Sequence, residues 1–180
     1  MEDSKPTSGV PNAQLYGIMA DELNETFWCD LEFIKTLRLI SKNLEIKDLK
    51  KECDDHAWQI EEQIVRLKKA STLVGIDLKA KSNHIMAALL HDSVVPLGLY
   101  QYTEALDTVV ITALRKACRF RRAMYQTLIT YFGLMEFEEA EIIIAKTYKE
   151  EDRADDRLLS LAYKKLLPLQ RPASSINLEH

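Results

Sequence analysis

Residues that break helices are scarce in this chain of 180: it has five glycines and five prolines, and most of them lie outside its periodic segments. That scarcity argues against a turn-rich β fold and favours long helices. No apolar run approaches the roughly 20 residues that cross a bilayer, and the first residues lack the hydrophobic stretch of a secretory signal. A cytoplasmic protein without a membrane partner is expected. Cysteine is sparse too. Cys29, Cys53 and Cys118 are odd in number and far apart, which argues against a disulfide framework and for reduced core thiols. A basic field is also missing, because the net charge is −4 and clusters such as Lys50-Lys51, Lys68-Lys69 and Arg121-Arg122 are interleaved with acids. Nucleic acid therefore has no cationic face to bind. His56 stands beside Asp54 and Asp55, yet no nucleophile motif or glycine-rich phosphate loop accompanies it, so enzyme chemistry is not expected.

What is present is helical periodicity on the scale of one domain. Residues 1–13, with Pro6, Gly9 and Pro11, read as a flexible arm; residues 14–167 read as a bundle; residues 168–180 read as an irregular tail whose Leu178-Glu179-His180 looks like a tag remnant. The first helix runs from Gln14 or Leu15 to about Lys42 with the seam Leu23, Phe27, Asp30, Ile34 and Leu37. After Asn43–Glu45 the second runs from Ile46 to Val74 and stops at Gly75. Its seam is Leu49, Cys53, His56, Ile60, Gln63, Leu67, Ala70 and Val74. A long connection, Ile76–Tyr102, contains a short helix near Asn83–Asp92, which Pro96 and Gly98 should end. The third long helix starts at Thr103 as N-cap and ends at Gly133. The fourth begins near Glu136, with Glu136, Glu138 and Glu139 in an acidic first turn. Connections that are short, long and short predict an all-α, antiparallel four-helix bundle with one long crossover between its second and third long helices, the ferritin-like arrangement.

The third long helix carries Leu114, Cys118, Arg121, Tyr125, Leu128 and Phe132 on one face, and that face is apolar except at Arg121. A buried arginine needs carboxylates opposite it. Asp30, His56, Glu151 and Asp155 are seam positions of the other three helices, all within about a turn of the helix midpoints, so a polar layer with Arg121 bridging Asp30 and Glu151 or Asp155 is expected. Two further features have bland readings. His84 and His91, seven apart on the crossover, lack a set of carboxylates placed to complete a metal site with them and should be exposed. Trp28 and Leu31 with Trp58 and Val65 form a second apolar stripe, which either packs under the crossover or serves as a homodimer face; a homodimer is favoured.

The segment DLKKECDDHAWQIEEQIVRLKKASTLVG, Asp48–Gly75, resembles the second helix of the YciE/YciF-type ferritin-like family, stress-associated bacterial proteins, with His56, Gln63, Arg66 and Leu67 at matching spacing. FWCDLEFIKTL resembles the family's first helix, with Asp30 in place of a glutamate. Asp107, Tyr125, Thr127 and Leu128 match the third, and KEEDRADDRLLSLA resembles the acidic fourth. The resemblance, over about Leu15 to Leu167, implies a layer that holds a di-metal centre. The departures fall on that layer. Gln59 stands where the family has glutamate, and Cys118, Arg119 and Arg121 stand where it has an acid, a histidine and a second acid. A permanently charged guanidinium repels a cation, so Arg121 is expected to replace the metal and leave a cofactor-free layer. The alternative is one weak iron or manganese site at Asp30, His56, Glu151 and Asp155 with oxidase or peroxide-scavenging activity. The residues name no substrate or small-molecule ligand.

Overall fold

The computed structural model describes residues 12–99 and 104–166. Five helices follow one another: α1 (Asn12–Asn43), α2 (Lys47–Leu73), α3 (His84–Leu99), α4 (Glu104–Leu134) and α5 (Glu138–Leu166). The four long ones form a ring in which α1 adjoins α2 and α4, and α5 adjoins α2 and α4, while α3 lies across α1 and α4. Each helix buries the stripe that its three- and four-residue spacing predicts, including Leu23, Leu37, Leu49, Ile60, Leu67, Leu114, Leu128, Phe132, Ile144 and Leu158.

The buried apolar residues fall into two clusters. One joins Phe33, Leu37, Leu49, Ile60, Leu114 and Leu158, and the other joins Met19, Leu23, Leu67, Leu128, Phe132 and Ile144. Sequence number rises from the second cluster to the first along α1 and α5, and from the first to the second along α2 and α4. Every adjacent pair of long helices is therefore antiparallel. Because α2 ends and α4 begins at opposite ends of the bundle, the crossover must travel its length, and α3 is the rod that does so.

Side chains of α1 pin the strap leading into α3. Asn24 accepts the Lys79 amide through its side chain at 2.7 Å and the Lys81 amide through its carbonyl at 3.2 Å. Glu25 accepts the Asn83 amide group at 2.7 Å, and Asn83 Oδ1 caps α3 by accepting the Met86 amide at 2.9 Å. At the end of α2, Gly75 has a φ of 72°, and the Ile76 amide returns to the Ser71 carbonyl at 2.9 Å, the glycine stop that the sequence predicts.

Three boundaries differ from expectation. α3 continues through Pro96 and Gly98 to Leu99, because Met86, Leu90, Ser93 and Pro96 form a buried face and burial outweighs the one hydrogen bond that proline forfeits. α4 runs past Gly133 to Leu134, and Glu136, at φ 62°, takes the left-handed position instead of the glycine. There the Phe137 amide closes onto the Phe132 carbonyl at 2.9 Å. The acidic first turn of α5 is therefore Glu138, Glu139 and Glu141, without Glu136. α1 begins at Asn12, inside the expected arm; the rest of that arm, the Thr103 cap and the residue 168–180 tail lie outside the described residues.

The proposed second apolar stripe divides. Trp28 and Leu31 are partly buried against the first cluster, whereas Trp58 and Val65 on α2 are 65% and 63% exposed. His84 and His91 are exposed on α3. Among the described residues no helix is long and apolar enough to cross a membrane.

Candidate functional site

Between the two apolar clusters each long helix contributes polar groups. Arg121, on the core stripe of α4, is 1% exposed and bonded through all three of its guanidinium nitrogens. Its Nε and Nη2 donate to Asp30 Oδ1 of α1 at 3.0 and 2.8 Å, its Nη2 also donates to Gln63 Oε1 of α2 at 2.9 Å, and its Nη1 donates to Glu151 Oε2 of α5 at 2.6 Å. One guanidinium thus ties the other three long helices to α4. The rings of Phe33 and Tyr125 flank it, with centroids 5.4 and 5.7 Å from its central carbon.

The carboxylates have further donors. The Tyr125 hydroxyl donates to Asp30 Oδ2, and Gln63 Nε2 donates to Glu151 Oε1 at 2.9 Å. His56 Nε2 lies 3.4 Å from the same Oε1, and its ring meets Phe33 edge-on with centroids 5.4 Å apart. These surroundings push the two acids in opposite directions. At Glu151 burial acts upward, but the Arg121 charge, His56 and Gln63 outweigh it and hold the carboxyl down at about 2. At Asp30 burial prevails over Arg121 and Tyr125, and its carboxyl sits above the ordinary range. Burial opposes the charge of Arg121 as well, yet Glu151 and Asp30 hold it cationic, well above its ordinary value.

The eight residues named from the sequence are thus divided. Asp30, His56, Arg121 and Glu151 converge on the layer, and Cys118 is buried at its edge. Asp155 does not meet Arg121: it accepts Arg115 Nε at 2.7 Å and Nη2 at 3.2 Å, and Arg119 Nε at 3.0 Å. Burial tends to raise its pKa, but those two guanidinium groups lower it. Arg119 accordingly lies outside, with a side chain 64% exposed. Gln59 also lies off the layer, where its Oε1 accepts Arg157 Nη2 at 3.1 Å and Arg157 Nε reaches Glu52 at 2.8 Å. The four donors of the weak iron or manganese alternative therefore do not come together. Two layer members, Gln63 and Tyr125, occupied inward seam positions in the sequence, but nothing there assigned their partners.

Fitness for a di-metal centre can be tested on this donor set. Two ions need several free carboxylates and neutral imidazoles. Here Asp30 Oδ1 receives two N–H groups and Oδ2 a hydroxyl, Glu151 Oε2 receives Arg121, and Asp155 is turned away. The residues present do not fit a pair of metal ions.

The family described as "Domain of unknown function (DUF892)" matches residues 15–167. Among solved structures, the chain is similar to the E. coli stress protein YciF, with 19% identity, a TM-score of 0.82, and coverage of 85% of this chain and 97% of that one. It is also similar to YcfI from Rhodopseudomonas palustris, described as a candidate structural protein, with 16% identity, a TM-score of 0.77, and coverage of 81% and 93%. No curated protein matches the chain.

Proposed function

The chain belongs to the DUF892 family, and from that premise we propose that it is a stress-associated structural bundle protein, cytoplasmic and homodimeric, in which a guanidinium–carboxylate layer stands where ferritin-like proteins hold two metal ions. The observation that carries this reading is the position of Arg121, whose four hydrogen bonds to Asp30, Gln63 and Glu151 occupy acceptors that a metal pair would need. The descriptions of YciF as a stress protein and of YcfI as a candidate structural protein support the role. Three unpaired, buried thiols support a reducing compartment. Exposed Trp58 and Val65, seven residues apart on the outer face of α2, support a face for a second copy.

The test is iron uptake by the full chain, refolded anaerobically with excess ferrous iron. After unbound iron is removed by gel filtration, no bound iron pair and no oxygen consumption above that of buffer on exposure to air are expected; two irons per chain would overturn the reading. Light scattering should return twice the 20.7 kDa chain mass, and a monomer mass at high concentration would remove the dimer.

A further inference from the structure

At the edge of the layer, three donors of different chemistry converge from three helices. A ring nitrogen of His56, the Cys118 sulfur and a Glu151 carboxylate oxygen lie within 4.8 Å of one another, and all three residues are buried. One further feature points to a ligand for this histidine. His56 Nε2 lies 3.4 Å from Glu151 Oε1, and Nδ1 is buried with no hydrogen-bond partner among the described residues, an unfavourable state for a strong polar atom.

We propose that His56, Cys118 and Glu151 form a site for a single divalent cation of borderline softness, of which zinc is the type, beside the guanidinium of Arg121. Imidazole nitrogen, thiolate and carboxylate together make a zinc donor set, whereas magnesium, calcium and manganese favour oxygen. On binding, the Cys118 thiol releases its proton to solvent and a sulfur lone pair forms the metal bond; no electron changes hands. Gln63 Nε2, at 2.9 Å from Glu151 Oε1, orients the carboxylate from behind. Three protein donors leave one tetrahedral position open, so binding is weaker than at a closed four-ligand site. The proposal goes beyond the structural reading above and rests on its placement of Arg121.

Because the site is enclosed, the test loads it during folding. The full chain, unfolded under reducing conditions, is refolded with cobalt(II) alone and then titrated with zinc(II). One cobalt per chain, a thiolate-to-cobalt charge-transfer band and its loss to zinc are expected. Cys118→Ser should abolish the band, His56→Gln should weaken zinc binding at least about tenfold, and Cys53→Ser, whose thiol lies outside the cluster, should keep both. Circular dichroism checks that each variant is folded. A folded wild-type chain that takes up no cobalt, or a band that survives in Cys118→Ser, would overturn the proposal. Uptake of two irons would overturn the structural reading, whereas this proposal is decided by the cobalt band of the iron-free chain and its loss in Cys118→Ser.

Discussion

Helices α4 and α5 meet through arginine and acid twice, once inside the bundle and once at its surface. Inside, Arg121 holds Glu151 with both side chains at most 1% exposed. Outside, Arg122 pairs with Asp152 at 2.8 Å while donating to the Tyr148 hydroxyl, also at 2.8 Å, and between the two levels the largely buried Asp155 takes Arg115 and the exposed Arg119. The residue types are the same, and Arg121 and Arg122 are neighbours in sequence. What differs is the alternative open to each group when its partner is lost. A surface carboxylate turns to water, whereas a buried one has nothing to turn to. The inner pair therefore weighs heavily when broken, and the outer pairs weigh little.

The sharpest way to break this contrast is to truncate both arginines. Arg121→Ala should lower the unfolding free energy in urea by about 3–5 kcal/mol, and Arg122→Ala by less than about 1 kcal/mol; equal small losses would abolish the distinction. Acid comes next. Glu151 titrates at about 2 in the fold against an ordinary 4.5, so its contribution is present above 4.5 and disappears as the pH falls towards 2. The difference is on the order of 3 kcal/mol. Glu151→Gln should therefore flatten the loss of stability over that window. Asp30 has the opposite sign, because a raised carboxyl binds its proton more tightly in the fold; Asp30→Asn should make the acid loss steeper. Tyr125→Phe, which removes a hydroxyl from a buried carboxylate, should cost about 1.5–3 kcal/mol in a thermal melt. The smallest effect is that of Arg119→Ala, under about 1 kcal/mol and vanishing near about 1 M salt, where screening acts over about 3 Å. The effect of Arg121→Ala should survive that salt.

Helical spacing made much of this legible. The seam of α4 is buried from Leu114 through Phe132 as the three- and four-residue steps require, and that of α2 from Leu49 through Val74. The level of the layer was legible as well, because Asp30, Arg121 and Glu151 interrupt apolar stripes at matching depth. Its membership was less so, since small rotations decide it. Gln59 follows His56 by three residues and so turns about 60° away from it, enough to bring it to Arg157. Asp155 follows Glu151 by four and turns about 40°, enough to face Arg115 and Arg119. The bonding of Gln63 and Tyr125 depended on partners from other helices, which spacing along one helix does not specify. Pro96 and Gly133 misled for a related reason: local propensity points to a break, but packing across α3 and a turn closed at Glu136 decide otherwise.

The guanidinium at the centre of the bundle also sets alignment. An apolar seam repeating every seven residues tolerates sliding by one repeat, since leucine then replaces leucine. Moving α4 by seven residues would bring Leu114 or Leu128 to the level of Asp30 and Glu151, stranding two buried carboxylates without a counter-charge. Each stranded charge would cost several kcal/mol, far more than the exchange of one aliphatic contact for another. Arg121 thus acts as an index mark for four helices whose hydrophobic surfaces alone would leave more than one way to align.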